Sequence, residues 1–332
     1  MTLRTSGLLA ASTALALFSI VPAFAEDSCP AYPTAKMAKI ESTALEKEFG
    51  VVPVPKKELH FAYMTKTLIN EFWQDVAAGA KAEAAKYKIS VDVQAAKDES
   101  SMIEQLNLAQ TVLSQKPDAL LLSPQSDSNL APVIEAARAA NIPTIIIDDA
   151  RSEGASGAKA AAFLHQTYAD GGKVAQIEAA AGSPNARLRI QGFKEELKKY
   201  SNLELVASQP GNWDRLTALN ATSNILRQTP DLAGIYANND GMALGVVEAV
   251  TSGSSLEKVA VVGTDGIREA KKSVGAGEMR ATVAEFPFEE GQLGVQMALR
   301  LLGCQAIPRW ILSPQAVITK DNVKDFPDPN TN

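Results

Sequence analysis

The chain has 332 residues, with 32 Lys and Arg against 38 Asp and Glu and a formal net charge of −6. A length of this order exceeds one compact core and suits two domains of about 150 residues each. A mildly acidic chain without a basic patch has little to offer phosphate backbones or anionic lipid, which excludes nucleic acid as a partner.

Arg4 is the only charged residue before Glu26. The apolar stretch from Leu8 to Ile20 and the small-residue site Ala23-Phe24-Ala25 follow it, the order of a cleaved secretory signal. The stretch is too short to span about 30 Å of hydrocarbon, and Pro22 interrupts it. Residues 1–25 are therefore read as a signal peptide, residues 26–57 as an N-terminal extension, and the protein as periplasmic. From Leu59 to Met64 the pattern predicts a strand, then a helix over Phe72–Lys86, a strand over Ile89–Val93 and a helix over Met102–Leu113. The series continues with a strand over Ala119–Leu122, a helix over Leu130–Ala139 and a strand over Ile145–Ile147. A second series runs through strands at Lys173–Ile177, Leu203–Val206, Gly234–Tyr236, Val259–Val262 and Ala281–Ala284. Its helices fall near Arg189–Tyr200, Thr217–Arg227, Met242–Ala249, Ile267–Val274 and Gly291–Leu302. Short continuous apolar runs between helices suit strands buried on both faces of a parallel sheet. The expected fold is α/β, with two doubly wound parallel-sheet lobes joined by a hinge and a ligand cleft between them. Residues 58–150 with 286–312 form one lobe, 151–285 the other, and 313–332 a C-terminal segment and tail.

In such sheets ligands sit beyond the carboxyl ends of the strands. Those positions carry Lys66, Asn70, Phe72 and Trp73 after the first strand, and Asp148 and Asp149 after the strand ending at Ile147. The second series supplies Arg187 and Arg189, Trp213, Asn239, Asp265 and Glu285. Carboxylates and amides share adjacent hydroxyls, Arg donates in a fixed fork, and aromatic faces cover the C–H face of a sugar ring. An Asp or Asn after a strand is also an ordinary helix cap. What favours a ligand site is the recurrence of such residues at nearly every strand end.

The segments Leu68-Ile69-Asn70-Glu71-Phe72-Trp73, Asn185-Ala186-Arg187-Leu188-Arg189, Ser208-Gln209-Pro210, Asn239-Asp240-Gly241-Met242 and Gly263-Thr264-Asp265-Gly266 together resemble the periplasmic sugar-binding proteins of the ribose-binding type. These are the receptors of ABC sugar importers with the type I periplasmic-binding fold. The resemblance implies that Asn70, Asp148, Arg187, Asn239 and Asp265 bond the ligand, and that Phe72, Trp73 and Trp213 stack on it. Lys66 stands where that family has a small hydroxyl residue, Asp149 where Arg is common and Glu285 where Gln is common. The last two changes make the pocket more acidic and point to a different sugar, a polyol or an amine-bearing ligand. The family also has a loop and a strand before the helix beginning near Gly157. Here the seven residues 150–156 replace them, spanning at most about 25 Å. They can cross between lobes but cannot add a sheet strand, so either the first lobe lacks an edge strand or the hinge is built differently.

The implied function is a monomeric receptor that delivers a sugar, polyol or related small polar ligand to the permease of an ABC importer. A periplasmic sensor docking on a membrane kinase or chemoreceptor is the alternative. No nucleophile elbow, zinc-protease or phosphate-loop motif is present, so no enzyme and no cofactor are expected. No metal is expected either: residues 321–325 alternate oxygen-bearing side chains but lack the Gly and distal Glu of a calcium loop. Cys29 and Cys304 form a disulfide candidate in an oxidising compartment, with two unpaired thiols as the other reading.

Overall fold

The computed structural model describes residues 35–36, 38–148, 153–253 and 258–329. After a short strand β1 (Lys39–Glu41) and helix α1 (Leu45–Phe49), the chain enters the first βα series. Strands β2 (His60–Thr65), β3 (Ser90–Ala95), β4 (Ala119–Leu122) and β5 (Thr144–Ile146) alternate with helices α2 (Glu71–Lys86), α3 (Met102–Ser114) and α4 (Ala131–Ala139). The four strands form an all-parallel sheet in the order β3-β2-β4-β5. All four residues of β4 are buried, because helices cover the sheet on both faces.

The second series begins with α5 (Glu153–Thr167) and β6 (Gly172–Glu178), followed by α6 (Pro184–Leu197), β7 (Leu203–Pro210), α7 (Arg215–Gln228) and β8 (Leu232–Ala237). It goes on through α8 (Asp240–Ser252), β9 (Ala260–Asp265), α9 (Arg268–Ala276) and β10 (Ala281–Ala284). Helix α10 (Pro287–Leu302) then returns to pack on α2 and the first sheet, β11 (Trp310–Leu312) pairs with β1, and β12 (Ala316–Thr319) joins the second sheet. That sheet has the order β12-β10-β9-β8-β6-β7, parallel except for β12, which runs antiparallel to β10. The chain therefore passes between the sheets after β5, after β10 and after β11.

The two expected βα series are present, with helix and strand ends shifted by a few residues. The shift at α6 matters: Ser183 caps the helix by accepting from the Ala186 amide, and Pro184 opens it, five residues before the expected start. The first sheet holds four strands among the described residues, and α5 already begins at Glu153. Helices α5 and α6 touch backbone to backbone. A Cβ on Gly157 would lie 2.1 Å from Arg189 O, and one on Gly192 2.0 Å from Gly154 O. This approach brings the first residue of α5, Glu153, onto the buried face of α6. The N-terminal strand and α1 cover the outer side of α10 through Ile40, Leu45, Met297 and Leu301. Cys304, just past α10, is disulfide-bonded; its candidate partner Cys29 lies outside the described residues, as do Asp149 and the signal segment. No helix of the described residues is long and apolar enough to cross a membrane.

Candidate functional site

Between the carboxyl ends of the two sheets, Lys66, Asn70, Phe72, Trp73, Glu99 and Asp148 face Asn185, Arg189, Trp213, Asn239 and Asp265. Two of these residues are helix caps, as their position after a strand dictates. Asn70 Oδ1 accepts from the Phe72 amide at 3.0 Å, freeing Nδ2 to donate to Glu99 at 2.8 Å. Asn239 Oδ1 accepts from the Met242 amide at 2.9 Å. In both, one side-chain atom serves the fold and the other is left for the cleft.

The aromatic walls come one from each side. Phe72 and Trp73 meet edge to face at 4.8 Å, with Lys66 Nζ 4.7 Å above the Trp73 ring. Trp213 stands opposite, 5.8 Å from the Arg189 guanidinium. Polar contacts join the sides directly. Lys66 Nζ donates to Asp148 at 3.1 Å and to Asn185 at 3.3 Å, and Asn185 Nδ2 donates to Asp148 at 2.8 Å. About 20 Å3 remains between these groups, far below the roughly 300 Å3 of a small-molecule pocket. The lobes are closed, and a solute of sugar size enters only when they part.

Arg189 is the electrostatic centre. It pairs with Glu153, with Asp265 at 2.9 Å and with Glu285 at 2.7 Å, and donates to Asn238 O at 2.7 Å. Burial works against its charge, but the Glu153, Glu285 and Asp265 carboxylates outweigh that and hold it protonated. Burial raises the Asp148 carboxyl to about 7, with Lys66 pulling the other way. Burial also raises Asp240 to about 7, although Thr282 and the Ile267 and Gly266 amides donate to it. Asp148, Trp213 and Asp265 have φ values of 62°, 63° and 125°. Such backbone costs about 1–3 kcal/mol per residue and persists where the surroundings force it, typically at ligand sites.

Eight of the residues assigned to the ligand from the sequence meet here, Lys66, Asn70, Phe72, Trp73, Asp148, Trp213, Asn239 and Asp265, together with Arg189, a strand-end residue that the resemblance did not assign to the ligand. Glu285 lies one layer behind, fixing Arg189 and accepting from Ser156 and Gln315. Arg187 does not join them, which corrects the expectation. With α6 starting at Pro184, Asn185, Arg189 and Phe193 share its buried face at four-residue spacing. Arg187 falls on the opposite face, exposed and paired with Asp127 at 3.1 Å. The Ser183-Pro184 cap signal would have set the helix phase and selected Arg189. Asn185 follows from the same phase; Glu99 comes from the stretch after β3, a strand end whose polar residues had drawn no attention. The histidines play no part: His165 stacks on Tyr200 and His60 meets Ser90 Oγ.

A closed two-lobed cleft of this kind, polar within and walled by aromatic rings, defines a solute receptor. Residues 61–305 match the model of the periplasmic binding protein domain, and the chain belongs to that family. It is 38% identical to the D-allose-binding periplasmic protein of Escherichia coli over 71% of this chain and 82% of that one. The ribose import binding protein RbsB of Bacillus subtilis is 30% identical over 80% of this chain and 88% of its own length. Among solved structures, an ABC transporter solute-binding protein from Actinobacillus succinogenes with bound D-allose superposes with a TM-score of 0.78. It is 30% identical, over 81% of this chain and all of that one.

Proposed function

We propose that this protein is a periplasmic receptor that closes on a neutral hexose of the D-allose kind and presents it to the permease of an ABC importer. The carrying observation is the convergence of Lys66, Asn70 and Asp148 from one side with Arg189, Asn239 and Asp265 from the other, between Trp73 and Trp213. Two relatives described as binding D-allose support the choice of sugar. The family is one of binding proteins, which supports binding without a covalent step. The protein is exported by its first 25 residues and acts as a monomer.

Closure follows from differential affinity: a solute that bonds both lobes favours the form in which both reach it. A Kd near 1 μM corresponds to about −8 kcal/mol, within reach of several charge-assisted bonds and two stacked rings after ordering costs. Calorimetric titration with D-allose, D-ribose and myo-inositol tests the reading. D-allose is expected to bind at micromolar Kd or tighter and at least about tenfold more tightly than ribose, about 1.4 kcal/mol. Absence of heat with every aldose would overturn it.

A further inference from the structure

Away from the groups around Arg189, a second set of charges joins the lobes at the edge of the cleft. Helix α2 of the first lobe and α9 of the second both begin just after a strand, and their starts meet. Glu71, next to Asn70 of the cleft, accepts from the Glu269 amide at 3.1 Å. Arg268, the first residue of α9, reaches across to Glu71 at 3.3 Å and to Asp75 at 3.2 Å. A third carboxylate comes from the segment after β12. Asp328 pairs with the same nitrogen, Nε, that meets Glu71.

That segment is fastened to the second lobe. Asn322 closes the turn beyond β12, accepting from the Thr319 amide at 2.7 Å and donating to Val317 O at 3.0 Å. Lys271 Nζ of α9 donates to Pro327 O at 3.4 Å, beside Asp328. Asp328 therefore travels with Arg268, whereas Glu71 and Asp75 travel with the first lobe.

We propose that Arg268 is the clasp that holds the lobes closed over the solute, and that Asp328 limits its strength. When the lobes part, Arg268 keeps Asp328 and loses Glu71 and Asp75. On closing it gains both, so it favours the closed form. Asp328 works the other way: closing brings two first-lobe carboxylates up to it, and like charges repel. One residue thus tightens the cleft and the other loosens it, so that solute is retained yet can leave. The side chains of Glu71, Asp75 and Asp328 are 19%, 8% and 14% exposed, well below those of the Arg187–Asp127 pair, so salt screens the clasp less. The clasp rests on the reading of the protein as a closing receptor, not on the choice of D-allose. It keeps a measurable share of the molecules closed before solute arrives.

Spin labels on the exposed faces of α4 and α7 report the distance between the lobes, and stopped-flow mixing reports how fast D-allose leaves. Arg268→Met removes the cation and leaves three acids facing one another. Its interlobe distance should lengthen without solute, and its D-allose affinity should fall about tenfold or more through faster release. Asp328→Asn keeps the shape and removes the repulsion. Its distance should shorten, and release should slow by about threefold. A merely structural role would weaken binding in both variants, whereas the clasp moves them in opposite directions. An Arg268→Met protein that closes like the wild type, an Asp328→Asn protein no more closed than the wild type, or a wild type wholly open without solute overturns it. Failure of every sugar to bind, with both distance shifts intact, would sink the sugar reading alone.

Discussion

At the mouth of the cleft, Asn70 and Asn239 each cap a helix that starts where a strand ends. At the hinge behind, Glu153, Arg189 and Glu285 come from three segments that obey no such rule. The first arrangement is local: the βα turn aims the side chain at the crevice, whatever the rest of the chain does. The second exists only because α5 and α6 pack with Gly157 against Arg189 and Gly192 against Gly154, and because the chain crosses back after β10. Local geometry selects the groups that meet the solute, and tertiary packing selects those that hold them still.

The sharpest way to break that distinction is Arg189→Met. It leaves Glu153, Asp265 and Glu285 buried without their cation. Removing one partner of a buried pair costs about 3–5 kcal/mol. For a protein of this size Tm should fall by on the order of 10 °C, with solute binding lost. A variant that melts like the wild type would show that the network is not structural.

Asp240 gives the next effect, through pH. Its carboxyl is raised to about 7 by burial, against an unfolded value near 4. Between about pH 4 and 7 the folded chain holds a proton that the unfolded chain has lost. Stability therefore falls as pH rises through that window and levels off above about 7. Urea melts from pH 4.5 to 8 should show this slope, and Asp240→Asn should reduce it, leaving the share of Asp148, which burial raises to about 7 as well.

The same contrast explains what the sequence could tell. Apolar runs and caps located both βα series and eight cleft residues, because period and strand ends are local properties. The resemblance put Arg187 rather than Arg189 at the ligand, but α6 starts at Pro184, five residues before the expected start, and two residues on a helix reverse the face. Glu290 gave no signal: an acid in a first turn looks like a partner for the helix dipole. Only the fold shows its Oε2 enclosed, where the Asp148, Glu285 and Glu153 charges act on it.

Asn239→Ser separates capping from binding at one residue. Serine caps about as well as asparagine, so stability should change by less than about 0.5 kcal/mol. The amide Nδ2 is lost, and solute affinity should fall about tenfold, about 1.4 kcal/mol by calorimetry. Equal affinity would make Asn239 a cap alone.

The smallest effect belongs to Arg187. Its bond to Asp127 joins the two lobes across the mouth, yet both side chains are more than half exposed, at 58% and 64%. Exposed pairs contribute about 0–1 kcal/mol and weaken with salt. Arg187→Ala should therefore lower solute affinity by less than about fivefold at low salt, and the difference should vanish near 0.5 M salt, where the Debye length is only a few Å. Because the pair forms only when the lobes meet, the loss should appear in the rate at which solute leaves rather than in Tm. A loss comparable to that of Arg189→Met would return Arg187 to the binding site and undo the helix phase on which the contrast between mouth and hinge rests.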